Sequence, residues 1–320
     1  MPISRRDLLK GAVVAGATPL LVGTAEARDE AAVGPDAVGM LFDSTLCVGC
    51  RACQSACKVA NDLPADKVEA NGGVYDAPSD LNGTTKNVIK LQGAGAKGQY
   101  MKQQCMHCVD PSCVSVCMMG ALHKEGHGKR ELHEKFGGEQ QGTGIVIYDS
   151  GLCVGCRYCQ IGCAFNVPKF EWFDALPKIV KCELCRHRRD PKKSGALAVA
   201  NPACCEVCPR GAVIYGKRDA LLAEAKRRVA ADPKYSKRIF GETEGGGTQV
   251  LYVTAAGVTF DQLGLPDLPA ESSAHFSESV SHAPYLHGLT PVALYAAMAF
   301  VINRNKKKED ATEHGEEGKR

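Results

Sequence analysis

Apolar residues in this chain come in short bursts rather than in long periodic faces. Gly39-Met-Leu-Phe-Asp43 is a brief apolar run that ends in Asp-Ser-Thr turn chemistry, which predicts a strand. Val88-Ile-Lys-Leu91 predicts a second strand within residues 61–98, a loop-heavy insertion rich in Gly, Asn and Asp. Residues 217–230 alternate Leu and Ala with Lys, Arg and Glu at helical spacing and predict a short helix. Gly245-Gly-Gly-Thr-Gln-Val-Leu-Tyr-Val253 predicts a glycine turn running into a strand. Residues 123–144 mix charges with several His and many Gly and predict a solvated hairpin loop.

Two apolar stretches near the ends predict targeting. Ser4-Arg5-Arg6-Asp7-Leu8-Leu9-Lys10 precedes a weakly hydrophobic run from Gly11 to Gly23, and Ala25-Glu26-Ala27 follows. That order predicts a twin-arginine signal over residues 1–27, removed after Ala27. The run is too short to span a bilayer, which needs about 20 apolar residues. Leu286 to Ile302 is almost entirely apolar, is broken by Pro291, and leads into Asn303-Arg-Asn-Lys-Lys-Lys308. It predicts a transmembrane helix over 284–303 with its basic flank on the cytoplasmic side and a charged tail over 304–320. Both features place the bulk of the chain on the periplasmic face of the inner membrane.

At 320 residues and 44% hydrophobic composition the chain can bury a sizeable core. Its basic residues are scattered, and a net charge of +3 gives no nucleic-acid stripe. Seventeen cysteines change the picture, because they are bunched. Cys153-Val-Gly-Cys156-Arg-Tyr-Cys159-Gln-Ile-Gly-Cys163 has the C-x2-C-x2-C-x3-C spacing of a bacterial-type ferredoxin, and Cys47, Cys50, Cys53 and Cys57 repeat it. Cys105, Cys108, Cys113 and Cys117 form a third run, with Asp110-Pro111 in its longer gap. Cys182, Cys185, Cys204 and Cys208 form a fourth, spread out and followed by Pro209.

The runs repeat one another. Leu41-Phe-Asp-Ser-Thr-Leu-Cys-Val-Gly-Cys-Arg-Ala-Cys53 recurs as Ile147-Tyr-Asp-Ser-Gly-Leu-Cys-Val-Gly-Cys-Arg-Tyr-Cys159. Cys113-Val-Ser-Val-Cys117-Met-Met-Gly-Ala-Leu122 parallels Cys204-Cys-Glu-Val-Cys208-Pro-Arg-Gly-Ala-Val213. Sixteen thiolates in four such runs predict four [4Fe–4S] clusters, soft sulfur donors suiting iron–sulfur chemistry. The x3 gap before the last cysteine makes Cys204 the ligand and Cys205 the spare.

Rival readings are a disulfide framework, since the destination is oxidising, and zinc held by the C-x2-C pairs. His123, His127 and His133 are an alternative metal set. Arg186-His-Arg-Arg-Asp-Pro-Lys-Lys193 is either simply solvated or placed to raise a nearby potential or dock an acidic partner. His282 and His287 are candidates to touch a haem or quinone in a membrane partner. No nicotinamide fingerprint, nucleophile elbow or open metal site appears, so no residue is expected to perform catalysis.

The four runs, the signal and the carboxy-terminal anchor resemble the four-cluster ferredoxin subunits of membrane-bound respiratory oxidoreductases. Within that family the likeness is to the HybA-type electron-transfer subunit of periplasmic [NiFe] hydrogenase-2. It rests on Gly39-Met-Leu-Phe-Asp-Ser-Thr-Leu-Cys-Val-Gly-Cys50, Lys102-Gln-Gln-Cys-Met-His-Cys-Val-Asp-Pro111, Lys181-Cys-Glu-Leu-Cys185 and Gly241-Glu-Thr-Glu-Gly-Gly-Gly-Thr-Gln-Val250.

The resemblance implies an α+β fold of two intertwined, bacterial-ferredoxin-like two-cluster modules with loop insertions. The first occupies 28–98 and 176–220, the second is inserted over 99–175, and a carboxy-terminal extension covers 221–281. It also implies the cluster assignment. Cluster 1 takes Cys47, Cys50, Cys53 and Cys208; cluster 2 takes Cys105, Cys108, Cys113 and Cys163. Cluster 3 takes Cys153, Cys156, Cys159 and Cys117; cluster 4 takes Cys182, Cys185, Cys204 and Cys57. The implied partners are the small and large hydrogenase subunits and an integral membrane subunit that reacts with quinone. The matching subunit of a molybdopterin enzyme, of formate dehydrogenase or sulfur-compound reductase type, is the alternative. The proline that commonly follows the last cysteine is kept only as Pro209; Lys58, Met118 and Ala164 replace it elsewhere.

Overall fold

The computed structural model describes residues 31–66, 78–93, 98–125, 142–172, 177–189, 201–277 and 295–304. One compact unit is Glu30–Ala274 and carries every cysteine; the other combines Met1–Asp29 with His275–Arg320. The predicted signal lies outside the described residues, as do residues 284–294 of the predicted span. Residues 295–304 are helical, and no helix among the described residues is long and apolar enough to cross a membrane.

The core is built on β1 (Val38–Asp43), whose residues from Gly39 onward are buried. It pairs antiparallel with β8 (Val213–Lys217) and parallel with β9 (Val250–Val253) in the order β8-β1-β9. Met40 faces Tyr215 on one side and Val250 on the other. Strand alternation then sorts the side chains to two faces. Met40, Phe42, Val250 and Tyr252 join the cysteine-bearing core with Cys53, Cys105, Cys182 and Cys204. Leu41, Leu251 and Val253 turn the other way, onto Leu221 and Ala225 of helix α5 (Arg218–Ala231). Tyr252 sits among Phe42 and Phe240, with ring centroids 5.5 and 6.3 Å away.

The remaining strands form three hairpins. β2 (Val88–Gln92) pairs with β3 (Gln99–Gln103), β4 (Leu122–Lys124) with β5 (Val146–Tyr148), and β6 (Lys169–Phe170) with β7 (Ile179–Val180). The predicted strands at 39, 88 and 250 are thus present, as is the helix, which is shifted by one residue toward the carboxy terminus. The predicted 123–144 hairpin is closed by the β4–β5 ladder; residues 126–141 lie outside the described residues.

Short helices carry the later cysteines of the runs: α1 (Ala52–Ala60), α2 (Ser112–Ser115), α3 (Tyr158–Ile161) and α4 (Ala203–Glu206). α1 packs on α4, and α2 packs on α3. The strands agree with this pairing. β1, which precedes the first run, pairs with β8, which follows the fourth; β5, which precedes the third, pairs with β4, which follows the second. Equivalent backbone bonds close both, Asp43 N to Ala212 O and Asp149 N to Ala121 O, each 2.8 Å. The sequence repeat is a spatial repeat.

Candidate metal centres

The first C-x2-C pair of each run turns on one residue. The position before the second cysteine is left-handed in all four: Gly49 (φ 70°), His107 (48°), Gly155 (71°) and Leu184 (51°). That turn aims both sulfurs to the same side and points the intervening amides at them. The Leu184 amide donates to Cys182 Sγ at 3.4 Å, and the Gly49 amide donates to the Cys47 sulfur. Glycine reaches this conformation freely. His107 and Leu184 hold it against a cost of roughly 1–2 kcal/mol each.

The fold gathers the predicted residues into four sets. Cys47, Cys50, Cys53 and Cys208 line one cavity, walled by Phe42 and Ile89. Cys57, Cys182, Cys185 and Cys204 line a second beside Met40. Cys108, Cys113 and Cys163 line a third, and Cys105 lies beside Cys113 and Cys163. Cys159 faces Cys117, Cys153 and Cys156. Cys205 is absent from the second cavity; its thiol donates to Cys204 instead, which holds Cys204 toward the thiolate and Cys205 toward the thiol.

All seventeen cysteines are free thiols in the structure. Among the described residues no three His, Cys, Asp or Glu side chains converge tightly enough for a single ion. All-thiolate sets drawn from runs of this spacing are the donor sets of iron–sulfur clusters. His123 lies in β4, while His127 and His133 are outside the described residues.

The electrostatics fit the same donor set. Burial pushes the Cys53 thiol up to about 12, against the pull of Lys102, with Cys204 and Cys47 adding to the rise. Cys159 is likewise pushed up to about 12 by burial and then by its three neighbours. Burial raises Cys108, Cys113 and Cys182 as well. Bare thiolates repel one another in these sites, and a cationic iron–sulfur core supplies the charge that stabilises them.

Other atoms aim at the sulfurs. The Ala212 amide donates to Cys208 Sγ at 3.3 Å and Asn61 Nδ2 to Cys57 Sγ at 3.6 Å. The Tyr148 hydroxyl is buried beside Cys153 without a hydrogen-bond partner among the described residues. Such contacts tune cluster potentials. Of the basic loop, Arg188 lies beside Cys185 and pairs with Glu206 at 2.9 Å, and Arg186 pairs with Glu125 at 3.4 Å. Residues 190–193 and both His282 and His287 are outside the described residues.

The residues that composition and spacing do not reveal are buried lysines. Lys102, Lys124 and Lys181 are 1%, 5% and 3% exposed. Lys102 stands among Cys204, Cys53 and Cys182. Burial pulls Lys124 down to about 8 while Cys108 and Cys105 push it back.

Residues 96–218, which span the second, third and fourth runs, match the family described as 4Fe-4S dicluster domain. The chain is 37% identical to the hydrogenase-2 operon protein HybA of Escherichia coli O157:H7, over 96% of its own length and 97% of that protein. It is 32% identical to the iron-sulfur subunit of the nitrate-inducible formate dehydrogenase of Escherichia coli (strain K12), over 79% of this chain and 77% of that one. The formate dehydrogenase iron-sulfur subunit of Haemophilus influenzae is 31% identical over 78% of this chain and 72% of that protein. The bunched thiols, the repeated strand pairing and a likeness that runs nearly end to end lead to one conclusion: the chain belongs to the HybA family of [4Fe–4S] electron-transfer subunits.

Proposed function

We propose that this chain relays electrons from a hydrogen-oxidising [NiFe] catalytic module, through four [4Fe–4S] clusters, to an integral membrane subunit that reduces quinone. The hydrogenase part of the reading is carried by the likeness to HybA along 97% of that protein. In this reading two interlocked two-cluster modules hold the clusters. Cys47, Cys50, Cys53 and Cys208 take cluster 1, and Cys57, Cys182, Cys185 and Cys204 take cluster 4. Cys105, Cys108, Cys113 and Cys163 take cluster 2, and Cys117, Cys153, Cys156 and Cys159 take cluster 3. The shared cavities and the β1–β8 and β4–β5 pairings support that division.

Each cluster supplies a one-electron carrier, and the chain's residues insulate and tune it. Cys50 and Cys156 are exposed, as are Val48 and Val154 beside them, which suits clusters 1 and 3 as the points of exchange with partners. Export by the twin-arginine route and a periplasmic location rest on the motif around Arg5 and Arg6. A membrane anchor over 284–303 is supported by apolar composition and by the exposed Tyr295, Phe300 and Ile302.

The second reading, a molybdopterin enzyme's subunit, is favoured by the likeness to the formate dehydrogenase subunits. Elemental analysis of the complex, purified anaerobically in mild detergent, separates the two. Nickel with excess iron is expected; molybdenum or tungsten without nickel overturns the hydrogenase reading. Alkaline extraction of membranes from a strain making a chain cut before residue 284 tests the anchor, since an unchanged membrane fraction refutes it.

A further inference from the structure

Lys102 is 1% exposed on β3, three positions before Cys105, yet its charge is directed at the other module. Its electrostatic neighbours are Cys204, Cys53 and Cys182, and it also acts on Cys47, Cys57 and Cys185. Those six thiols belong to the two cavities of the outer module. The ammonium Nζ donates to Gln104 Oε1, a neutral acceptor, and Gln104 Nε2 in turn donates to Met40 Sδ at 3.1 Å. The Tyr252 hydroxyl donates to the Lys102 carbonyl at 2.6 Å and pins the backbone.

The other buried lysines are used differently. Lys58 pairs with Asp66 at 2.6 Å and bonds the carbonyls of Pro64 and Thr84. Lys124 bonds the carbonyls of Cys108 and Gly144, both at 2.7 Å, and Lys181 bonds those of Val146 and Cys182. These lysines are held by carbonyls or a carboxylate, and the charges of Lys124 and Lys181 face thiols of the inserted module, Cys108 and Cys113 among them. Among the described residues no carboxylate pairs with Lys102, so its buried charge is balanced by sulfur.

Burying an ammonium is costly unless opposite charge meets it. Resting on the cluster assignment proposed above, we propose that Lys102 is a positioning charge shared by clusters 1 and 4, which raises both potentials and lets both clusters be reduced together. The electron accounting is simple. One electron arriving at a tetrathiolate cluster adds one negative charge to it, with no bond made or broken. A fixed cation between two such clusters stabilises the reduced form of each more than the oxidised form. It also offsets the repulsion between two reduced neighbours.

The test is a potentiometric titration of the purified complex, followed by electron paramagnetic resonance, for wild type, Lys102→Met, Lys102→Arg and Gln104→Glu. Lys102→Met is expected to lower two of the four midpoints, each by at least a tenfold fall in the reduced-to-oxidised ratio at fixed potential. That ratio corresponds to about 59 mV for a one-electron couple. The other two midpoints stay, and Lys102→Arg stays near wild type. Four unmoved midpoints at an unchanged iron content overturn the proposal, as does an equal shift of all four. Where Lys102→Met loses iron, Gln104→Glu decides: it keeps the lysine and sets a carboxylate against Nζ. The same two midpoints then fall, and their staying put overturns the idea. Wild-type complex without cluster signals from this chain would instead defeat the ligand assignment, a distinguishable failure.

Discussion

Asp43, fully buried at the end of β1, accepts a hydrogen bond on Oδ2 from Arg228 Nη1 at 3.0 Å. The Tyr235 hydroxyl donates to the same oxygen at 2.8 Å, and the Thr45 amide and hydroxyl donate to Oδ1 at 3.0 and 2.6 Å. The carboxylate therefore ties the start of the first ligand run to α5. Arg228→Ala leaves a buried charge without its cation and is expected to cost about 2–4 kcal/mol. An anaerobic urea titration that follows the visible cluster absorbance reads this as an earlier midpoint; an unmoved midpoint refutes it.

Arg227 and Arg228 also donate to Glu224 and hold its carboxyl down to about 2, below its ordinary 4.5. A depressed carboxyl adds stability that is complete above the unfolded value and is lost as pH falls through the folded one. The pair is at the surface, so Glu224→Gln is expected to cost under about 1 kcal/mol near neutrality. The gap between variant and wild type should close as pH drops from about 4.5 toward 2. A gap that widens on acidification contradicts the assignment.

Gly49 and Gly155 occupy equivalent turns with different tolerances. A Cβ at Gly49 would lie 2.3 Å from the Tyr100 ring, whereas one at Gly155 would meet the Pro177 ring at 2.9 Å. Both positions are left-handed, so alanine adds about 1 kcal/mol of strain before any clash. Gly49→Ala is expected to lose one cluster's worth of iron per chain, and Gly155→Ala to lose less. Equal iron in both variants and wild type would show that these turns do not shape the sites.

Cys204 and Cys205 are separable by loss of iron. Cys204→Ala removes a thiol that lines the second cavity, and one cluster in four should go with it. Cys205→Ala should retain every cluster. It also removes the thiol that donates to Cys204, so the potential of cluster 4 should fall. Iron and sulfide assays alongside potentiometry check both, and the reverse pattern would reassign the ligand.

Tyr148 stands where the other repeat has Phe42, a one-hydroxyl difference between two otherwise matched strands. That hydroxyl is buried beside Cys153 with no hydrogen-bond partner among the described residues. With Cys153 assigned to cluster 3, Tyr148→Phe should lower that midpoint alone, because a hydroxyl dipole beside a ligand sulfur favours the reduced state. A shift in any other cluster, or in none, argues against it.

The ligand runs are legible in the chain because sulfur spacing is set by local turn geometry. β1 and β2 are legible because their apolar bursts end in turn chemistry. β3 is hidden, since Tyr100-Met101-Lys102 breaks alternation to bury a charge whose purpose lies across the core. Gly49 and Gly155 announce their turns. His107 and Leu184 do not, because their side chains say nothing of a left-handed backbone that the surrounding fold imposes. The β1–β8 pairing joins residues far apart in sequence, and only the internal repeat hints at it.

The enclosure of one repeat by the other has a consequence for biogenesis. A ribosome delivers β1 early, but its partners β8 and β9 emerge only after the second and third cysteine runs. β4 and β5, with the second and third cysteine runs around them, are complete long before. Short loops close faster than long ones. The inner half can therefore fold while the outer half is still an open thread. Until the fourth cysteine run arrives, Cys47, Cys50 and Cys53 lack Cys208, the fourth thiol that lines their cavity.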